Sequence, residues 1–489
     1  DTGANGTVHY MPSMDSLAEV KVLMSNYAAE HGRNSGGTIS IVTRGGARQF
    51  RASAGWYYRH ESFSANDFFN NRNGLQRPRY RYNIASYTVS GPVYIPGRFN
   101  SDRSKLFFFW SQEFQRQLVT YPARTVRVPT AAERDGDFSA TYDVNSRLMT
   151  VYDPLAGRTA FPGNRVPASR FNPIGVNVLN LFPLPNFVDP APSRRYQWNY
   201  ISQMSAPYPR SSETARVDYS PRQNIQLYVR VSRNGDEQRP VFGSTANGSV
   251  NFPLVPIVFH QPGRGAALHT TTTLSPAVFN EFIFGASENT RDYYPESTER
   301  VSRKGTGIDV PQWYPRNNPE GLIPNMSFSG VGNYANPSLA TGLPYYNANA
   351  IFSFVDNVSK IAGTHSWKFG LYVERTRKVE RNTPIPARGT LRFDRDTNNP
   401  IDSYHPYSNA LMGIYYSYAE PTSRPEGQFR FTNLEWYVQD AWRARPRLLL
   451  DYGLRFYHHG PHYDVRKLVS AFLPSLYDPA GAPVLLRPA

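Results

Sequence analysis

Several segments of this chain alternate apolar and polar residues. At 448–457 the even positions hold leucine, tyrosine or phenylalanine, whereas Asp451 and Arg455 occupy odd positions. The segments 367–374 and 225–232 repeat the pattern. A β-strand points successive side chains to opposite faces, and a tilted strand crosses a bilayer in about 9–11 residues. We therefore expect antiparallel strands with one face suited to lipid and the other to water.

The alternation assigns individual side chains to the two faces of such strands. Apolar positions are expected to face lipid, and charged positions the lumen of a barrel. Leu450→Arg near mid-membrane should then cost about 2–4 kcal/mol, whereas Arg455→Gln should cost little. The residues predicted to face lipid are Leu448, Leu450, Leu454, Trp367, Phe369 and Leu371, and those predicted to face the lumen are Asp451, Arg455, Lys368 and Glu374.

The lengths of the connections favour a membrane barrel over a soluble sheet. An antiparallel soluble sandwich with one wet face would show the same alternation. Here, however, tight links at 363–365 and 443–446 alternate with long excursions near 121–210, 296–348 and 379–407. Outer-membrane barrels combine short periplasmic turns with long extracellular loops, whereas compact soluble domains rarely hold several loops beyond about 15 residues. We therefore predict extracellular loops in these three ranges.

The overall composition removes several other classes of protein. No apolar run approaches the roughly 18 residues that a membrane-spanning helix requires. The chain has no cysteine, which excludes disulfides and thiolate metal sites. The 53 Lys and Arg exceed the 38 Asp and Glu, but they are scattered along the 489 residues, so we expect no nucleic-acid partner.

Patterns for catalysis and metal binding are weak. His458 and His459 are adjacent and lack the i, i+4 spacing of a helical zinc site, and His365 lies in a predicted turn. Asp135 and Asp137 flank a glycine in a polar segment, which is typical of a turn rather than of a carboxylate pair for glycoside hydrolysis. We expect a protein that is not an enzyme and that binds neither a cofactor nor a metal.

Residues 15–44 differ from the rest of the chain. A short predicted strand at 20–24 and another at 38–43 flank a loop that contains Gly32, Gly36 and Gly37. Because this loop must turn sharply into the second strand, Gly36 and Gly37 are expected to hold backbone angles that a residue with a Cβ adopts poorly. The pattern suits a small α/β element attached to a barrel.

Specific motifs run through most of the chain. They include NYAAEHGRNSGG at 26–37, ISIVTR at 39–44, YVQDAW at 437–442 and LDYGLR at 450–455. Together these motifs resemble those of the TonB-dependent transporters and, within that family, of the Oar-like group. Further similar motifs are SANDFF at 64–69, GPV at 91–93, KLFFFW at 105–110, FPGNRVP at 161–167 and FPLPN at 182–186.

The resemblance implies a fold and a location. It implies the C-terminal part of an α/β plug domain at 1–46, with Gly32, Gly36 and Gly37 at the plug turn, followed by an antiparallel β-barrel at 47–489. Plugged barrels have about 22 strands, so the chain is expected to hold roughly half of one, and the strand near 50–60 to lack a closing partner. The expected location is the outer membrane of a Gram-negative bacterium.

The resemblance also implies a function. A TonB-type energy-coupling protein of the inner membrane would displace the plug, and a bulky substrate would then cross the outer membrane. The expected partners are outer-membrane lipid, the TonB-type protein and that bulky ligand, whose binding residues no motif identifies.

Two alternatives remain open. A passive porin or outer-membrane adhesin would need no plug, so residues 15–44 would not lie inside its barrel. A secreted carbohydrate-binding β-protein would have a closed soluble core and a carboxylate pair in a cleft.

Overall fold

The computed structural model describes residues 9–24, 28–32, 37–121, 123–239, 254–330, 332–339, 343–381 and 386–481. Within these ranges, one antiparallel sheet of 13 strands dominates the molecule, and we call it the wall. The predicted all-β antiparallel fold is therefore confirmed.

The elements are numbered in chain order. The strands are β1 (Leu17–Leu23), β2 (Thr38–Thr43), β3 (Arg51–His60), β4 (Arg81–Pro92), β5 (Leu106–Thr120), β6 (Arg124–Val126), β7 (Tyr152–Asp153), β8 (Thr159–Ala160), β9 (Tyr200–Ser202), β10 (Ser205–Arg222), β11 (Ile225–Gln238), β12 (Ile257–His260), β13 (Gly263–Ser275), β14 (Val278–Pro295), β15 (Asn325–Ser327), β16 (Tyr345–Ala362), β17 (His365–Arg381), β18 (Thr390–Arg392), β19 (Ser417–Ala419), β20 (Glu426–Arg445), β21 (Leu448–His459) and β22 (Tyr463–Asp464). The α-helices are α1 (Phe68–Arg72), α2 (Ala131–Arg134), α3 (Pro173–Asn180), α4 (Arg303–Thr306) and α5 (Pro406–Leu411). None of the helices within the described ranges has the length and apolar character needed to cross a membrane.

The wall strands are neighbours in nearly sequential order. From one end the order is β3, β4, β5, β10, β11, then β12 and β13 end to end between β11 and β14, followed by β14, β16, β17, β20 and β21, with β22 on β20. Pairing is long and regular, as between β16 and β17, which pair from Tyr346 and Arg381 to Ala362 and His365. Among the described strands, β3 pairs with β4 alone and β21 with β20 alone.

Two-residue turns lie at one rim of the wall, and long connections lie at the other. The turns between β10 and β11, β13 and β14, β16 and β17, and β20 and β21 each take two residues. The connections from β5 to β10, β14 to β16 and β17 to β20 lie at the opposite rim and are long. We call these the short-turn rim and the long-loop rim. This asymmetry is typical of outer-membrane barrels.

The long loops end at different residues from those predicted. Pro207 and Pro209 favour a loop that extends to about 210. In the structure the first loop ends earlier, because β10 begins at Ser205. Both prolines pair with β5, but the pairing of β10 with β11 starts only at Arg210, so they occupy an edge that tolerates proline. The third loop continues beyond 407, because α5 and β19 pack within it.

The main buried apolar cluster lies in the three long loops. We call their described residues within 123–204, 296–344 and 386–425 the loop cap. Each loop contributes fully buried side chains, and the strand ends beneath complete the cluster. Its members include Val128, Phe138, Val151, Val178 and Leu179 of the first loop, Val301, Ile308, Ile323, Met326 and Phe328 of the second, and Leu391, Phe393, Tyr407, Ala410 and Leu411 of the third.

Candidate functional site: the inner face of the wall and the loop cap

The wall has a polar inner face and an apolar outer face. In β4, for example, Ser86 and Thr88 are buried, whereas Tyr87 and Val89 between them are exposed. Polar side chains recur at alternate positions on the neighbouring strands, and they define the inner face. This set includes Ser86, Thr88, Ser111, Glu113, Ser212, Thr214, Ser232, Asn234, Asn289, Asn347, Asn349, Glu374, Thr376, Asn433 and Glu435.

The predicted facing of β17 and β21 is confirmed. Leu371 and Leu454 lie on the outer face with 47% and 64% of their surface exposed. Trp367, Phe369 and Leu450 share that face, and Leu448 is likewise exposed. The predicted lumen-facing residues Lys368, Glu374, Asp451 and Arg455 alternate with them on the inner face.

The inner face holds the start of the chain. We call the described residues of 9–46 the inner segment; its strands β1 and β2 form a separate antiparallel pair. Ser13 and Ser111 share a hydrogen bond of 2.9 Å between hydroxyls, and Ser212 donates to the carbonyl oxygen of Met11 at 3.1 Å. Contacts thus reach β5 and β10 of the wall. Farther along the inner segment, Arg216 donates through Nη1 to the carbonyl oxygen of Thr43 at 2.9 Å.

A charged cluster joins the loop of the inner segment to the other end of the wall. Arg455 donates through Nη1 to the carbonyl oxygens of Ala29 and Glu30 at 3.2 and 3.1 Å. The same guanidinium binds Glu435 Oε2 through Nε and Nη2 at 2.9 and 2.7 Å, and the Glu435 side chain is fully buried. Lys368 Nζ contacts the Glu30 carboxylate at 2.9 Å. We call Glu30, Lys368, Glu435 and Arg455 the latch.

The latch changes one expectation from the sequence. The Arg455 side chain is only 10% exposed and neutralises a buried carboxylate. Removal of one member of a buried ion pair is costly, because the remaining charge stays out of water. Arg455→Gln, expected to cost little on the basis of alternation, is therefore expected to destabilise this region.

The glycines of the predicted plug turn are only partly described. Gly37 has a φ of 153°, and a Cβ built on it would lie 2.9 Å from the carbonyl oxygen of Leu23. Gly32 packs directly against the Arg455 side chain, where a Cβ would overlap the guanidinium. Gly36 lies outside the described residues. That the three glycines form a functional plug turn remains a prediction.

Hydrogen bonds join the three loops into one cap. Tyr407 of the third loop donates to the carbonyl oxygen of Arg127 in the first at 2.8 Å. Arg388 of the third loop is fully buried and donates to the carbonyl oxygens of Leu339 and Leu343, each at 2.7 Å. Burial, with the nearby positive charge of Arg424, lowers the pKa of Arg388 to about 9. The interior of the cap is therefore buried, and hydrogen bonds connect its three loops.

The loop cap contains an aromatic pocket. A cavity of about 270 Å³ opens between α3, α5, β18 and the residues before β19. Trp313 and Tyr418 line it, with ring centroids 5.4 Å apart. Trp313 is 66% exposed. Glu420 fixes its backbone by accepting from the amides of Trp313 and Tyr314 at 3.1 and 2.9 Å. Aromatic rings held in this way suit contact with a large organic ligand.

A second, more polar pocket lies where the first loop meets the connection between β3 and β4. Its volume is about 580 Å³, and its lining mixes carboxylates, amides and aromatic rings. Asp189 is nearly fully buried there and pairs with Arg194 at 3.1 Å. The lining includes Asp67, Asn70, Asn73, Tyr121, Asp189, Trp198 and Gln203.

The residues considered for catalysis or metal binding are not brought together. Asp135 caps the end of α2, and Asp137 pairs with Arg165 at 2.9 Å. His365 lies on the outer face at the short-turn rim, 2.6 Å from Asp440 and stacked between Trp367 and Trp442. His458 and His459 lie at the end of β21.

Comparison with known families and curated proteins gives one match. Residues 42–487 match the model of the outer membrane beta barrel domain. No curated protein matches the chain.

Comparison with solved structures shows a related fold in one outer membrane transporter and weaker similarity to two receptors. The outer membrane transporter YddB from Escherichia coli aligns with a TM-score of 0.50 and 10% identity, over 92% of this chain and 44% of that one. The siderophore receptor PirA from Pseudomonas aeruginosa gives 0.42 and 10%, over 93% and 46%. FpvA from P. aeruginosa, bound to a heterologous pyoverdine, gives 0.46 and 10%, over 92% and 43%. The chain thus spans less than half the length of these proteins.

Proposed function

We propose that this chain, which belongs to the outer membrane beta barrel domain family, moves a bulky substrate across the outer membrane as a TonB-dependent transporter of the Oar-like group. The observation that carries the proposal is the position of the inner segment, which lies against the inner face of the wall. A passive porin or outer-membrane adhesin would need no plug in this position. Residues 1–46 would be the end of the plug, and 47–489 the barrel.

The latch gives the proposal a mechanism. The plug must be stable when idle and must yield when an inner-membrane protein pulls on it. Two carbonyl groups and one carboxylate of the inner segment bind Arg455 and Lys368. The two hydrogen bonds from the mostly buried Arg455 contribute about 1.5–3 kcal/mol each, and the exposed Lys368–Glu30 pair about 0–1 kcal/mol. Mechanical work or a shift in conformational population can supply this free energy.

The loop cap would receive the substrate. Its aromatic pocket presents Trp313 and Tyr418 in a fixed geometry, and the polar pocket beneath the first loop offers amides and carboxylates. Together they suit a ligand with both apolar and hydrogen-bonding groups.

Conductance of the full-length protein, in which the barrel is closed, tests the gating in planar bilayers. The protein is expected to stay closed, and Arg455→Gln to raise the frequency of openings. Arg445→Gln, at the short-turn rim, is the matched control and should stay closed. Steady conductance of the unmodified protein would support a passive porin instead.

A ligand screen tests the receptor role. Siderophores, glycans and peptides would be added to the protein in detergent while tryptophan fluorescence is recorded. A ligand of the aromatic pocket should change the emission, and Trp313→Phe should remove the change, whereas Trp56→Phe on β3 should not. Cellular uptake of that ligand should stop when the TonB-type protein is deleted. Uptake that continues would contradict energy coupling.

A further inference from the structure

Two arginines hold the inner segment to the wall at places far apart. Arg216 of β10 donates to the carbonyl oxygen of Thr43 at 2.9 Å, and we call this contact the β10 hold. Arg455 of β21 donates to the carbonyl oxygens of Ala29 and Glu30, and we call these contacts the β21 hold. The strands β11, β13, β14, β16, β17 and β20 lie between the two holds.

From the β10 hold, side-chain contacts lead along the inner face to the middle of the wall. The Arg216 guanidinium lies over the Tyr228 ring, 3.9 Å from its centroid. Tyr228 and His269 are cross-strand neighbours whose rings pack edge to face, with centroids 4.9 Å apart. His269 Nε2 is 2.8 Å from Glu281 Oε1. Glu281 Oε2 accepts from Asn357 Nδ2 at 3.0 Å, so the contacts reach β16.

From the β21 hold, contacts lead to the same asparagine. Arg455 Cζ lies 5.5 Å from the centroid of the Tyr437 ring on β20. The Tyr437 hydroxyl donates to Asn357 Oδ1 at 3.0 Å, although β17 runs between their strands. The residue of β17 between them is Gly370, where a Cβ would overlap the Tyr437 ring. Glycine therefore leaves the space through which the tyrosine crosses a whole strand.

The two series of contacts thus form one continuous row between the holds. Both polar atoms of the Asn357 side chain are used within the row, and so are both carboxylate oxygens of Glu281. We call this row the belt. Its members are Arg216, Tyr228, His269, Glu281, Asn357, Tyr437 and Arg455.

We propose that the belt couples the two holds, so that the inner segment leaves the wall as one unit. Each terminal arginine contacts both the inner segment and the next belt residue, so its displacement at one hold removes support from the row that ends at the other. Energetic coupling between distant sites is carried by such chains of packed and hydrogen-bonded side chains. A state with only one hold released would then be rarely populated.

This inference deepens the proposed function, because it concerns the release of the segment proposed to be the end of the plug. A force applied near either hold would be resisted by both. Release would therefore be abrupt, and a lumen half opened by a partly detached segment would be avoided. Its test needs neither a ligand nor a TonB-type protein, so its outcome is independent of whether the proposed transport occurs.

Hydrogen exchange of the full-length protein reports on each hold separately. The amide of Arg44 donates to the carbonyl oxygen of Ser16 at 2.8 Å, and that of Gly46 donates to Asp218 Oδ2 at 3.3 Å. Exchange of these two amides reports on the inner segment beside the β10 hold. Exchange of the amides at 28–32 reports on the β21 hold.

Single substitutions at the two holds measure the coupling in both directions. Arg455→Gln should accelerate exchange at Arg44 and Gly46 by about 2- to 30-fold, although it lies at the distant hold. Arg216→Gln should accelerate exchange at 28–32 by a similar factor, because coupling between two sites is reciprocal. An effect of each substitution confined to its own hold would overturn the proposal.

Interruption of the belt separates it from the other possible route, through the inner segment itself. Tyr437→Phe removes the bond to Asn357 and keeps the ring beside Arg455. In this background, Arg455→Gln should still accelerate exchange at 28–32 but no longer at Arg44. Persistence of the distant effect would place the coupling in the inner segment and would likewise overturn the proposal.

Two more variants complete the design. Gly370→Ala interrupts the belt without removing a polar group, since the added methyl displaces the Tyr437 ring, and it should abolish the distant effect in the same way. Tyr87→Phe is the matched control. It removes a hydrogen bond of 2.8 Å from a tyrosine hydroxyl to the Gln112 amide oxygen on the outer face, and the distant effect of Arg455→Gln should remain. Loss of that effect in Tyr87→Phe would show that the belt is not its specific carrier.

Discussion

Replacement of Arg455 by glutamine tests whether the latch holds the inner segment. Arg455 makes two hydrogen bonds to backbone carbonyls of the inner segment and binds the buried Glu435 carboxylate. Glutamine is shorter and uncharged, so it cannot make these contacts together. The two bonds to the inner segment contribute about 1.5–3 kcal/mol each, so their loss should weaken attachment by at least about 3 kcal/mol.

Hydrogen exchange measures this attachment directly. The amide of His31 donates to the carbonyl oxygen of Ala28 at 3.0 Å, within the turn that Arg455 holds. A loss of about 3 kcal/mol should accelerate exchange of the amides at 28–32 by roughly 10²-fold, while the amides of β5 and β10 exchange as before.

Lys368→Gln provides a graded comparison. Lys368 and Glu30 are 38% and 32% exposed, and such ion pairs contribute about 0–1 kcal/mol. Exchange should therefore rise by about fivefold at most in this variant. Equal effects of the two substitutions, or exchange in Arg455→Gln that matches the unmodified protein, would refute the reasoning from burial.

Three further outcomes are expected. Leu450→Arg, on the outer face, should lower the free energy of unfolding in lipid vesicles by about 2–4 kcal/mol, whereas Asp451→Arg on the inner face should change it little; equal effects would contradict the facing. Gly37→Val should increase protease cleavage in the inner segment, because the φ of 153° at Gly37 and the nearby carbonyl oxygen of Leu23 oppose a Cβ. Equal cleavage of the variant and the unmodified protein would count against strain at this position. Burial and the positive charges of Arg127 and Arg395 hold the pKa of His405 well below its ordinary value. At low pH the unfolded cap therefore binds a proton at His405 that the folded cap does not. Below about pH 6.5 the stability of the cap should fall by up to about 1.4 kcal/mol per pH unit. Limited proteolysis at pH 7 and pH 5 would show this loss, and His405→Gln should remove the pH dependence.

The wall was predictable because its physical signal is local. Alternation assigns each side chain to a face independently of distant residues, as Leu371 and Lys368 show. The first loop also carried local signals. Thr130 and Glu133, three positions apart, form a capping box, and Asn172 caps α3 ahead of a proline; a few adjacent residues specify both patterns.

The latch and the cap were not predictable in the same way. Arg455 and Glu30 are 425 positions apart, and nothing in either local sequence names the other as a partner. The cap core likewise depends on contacts among three separate loops. Only the register of the whole wall brings these residues together. That register depends on many weak pairings between strands rather than on a single motif.

The location of the main apolar core in the loop cap has a consequence for sequence variation. Exposed loops of surface proteins commonly diverge rapidly and accept insertions. Here Val128, Ile323 and Tyr407 are fully buried at the centre of those loops, although they lie on three distant parts of the chain. Substitutions can therefore accumulate at the exposed positions between them, but exchange of one whole loop would leave the other two without their packing partners.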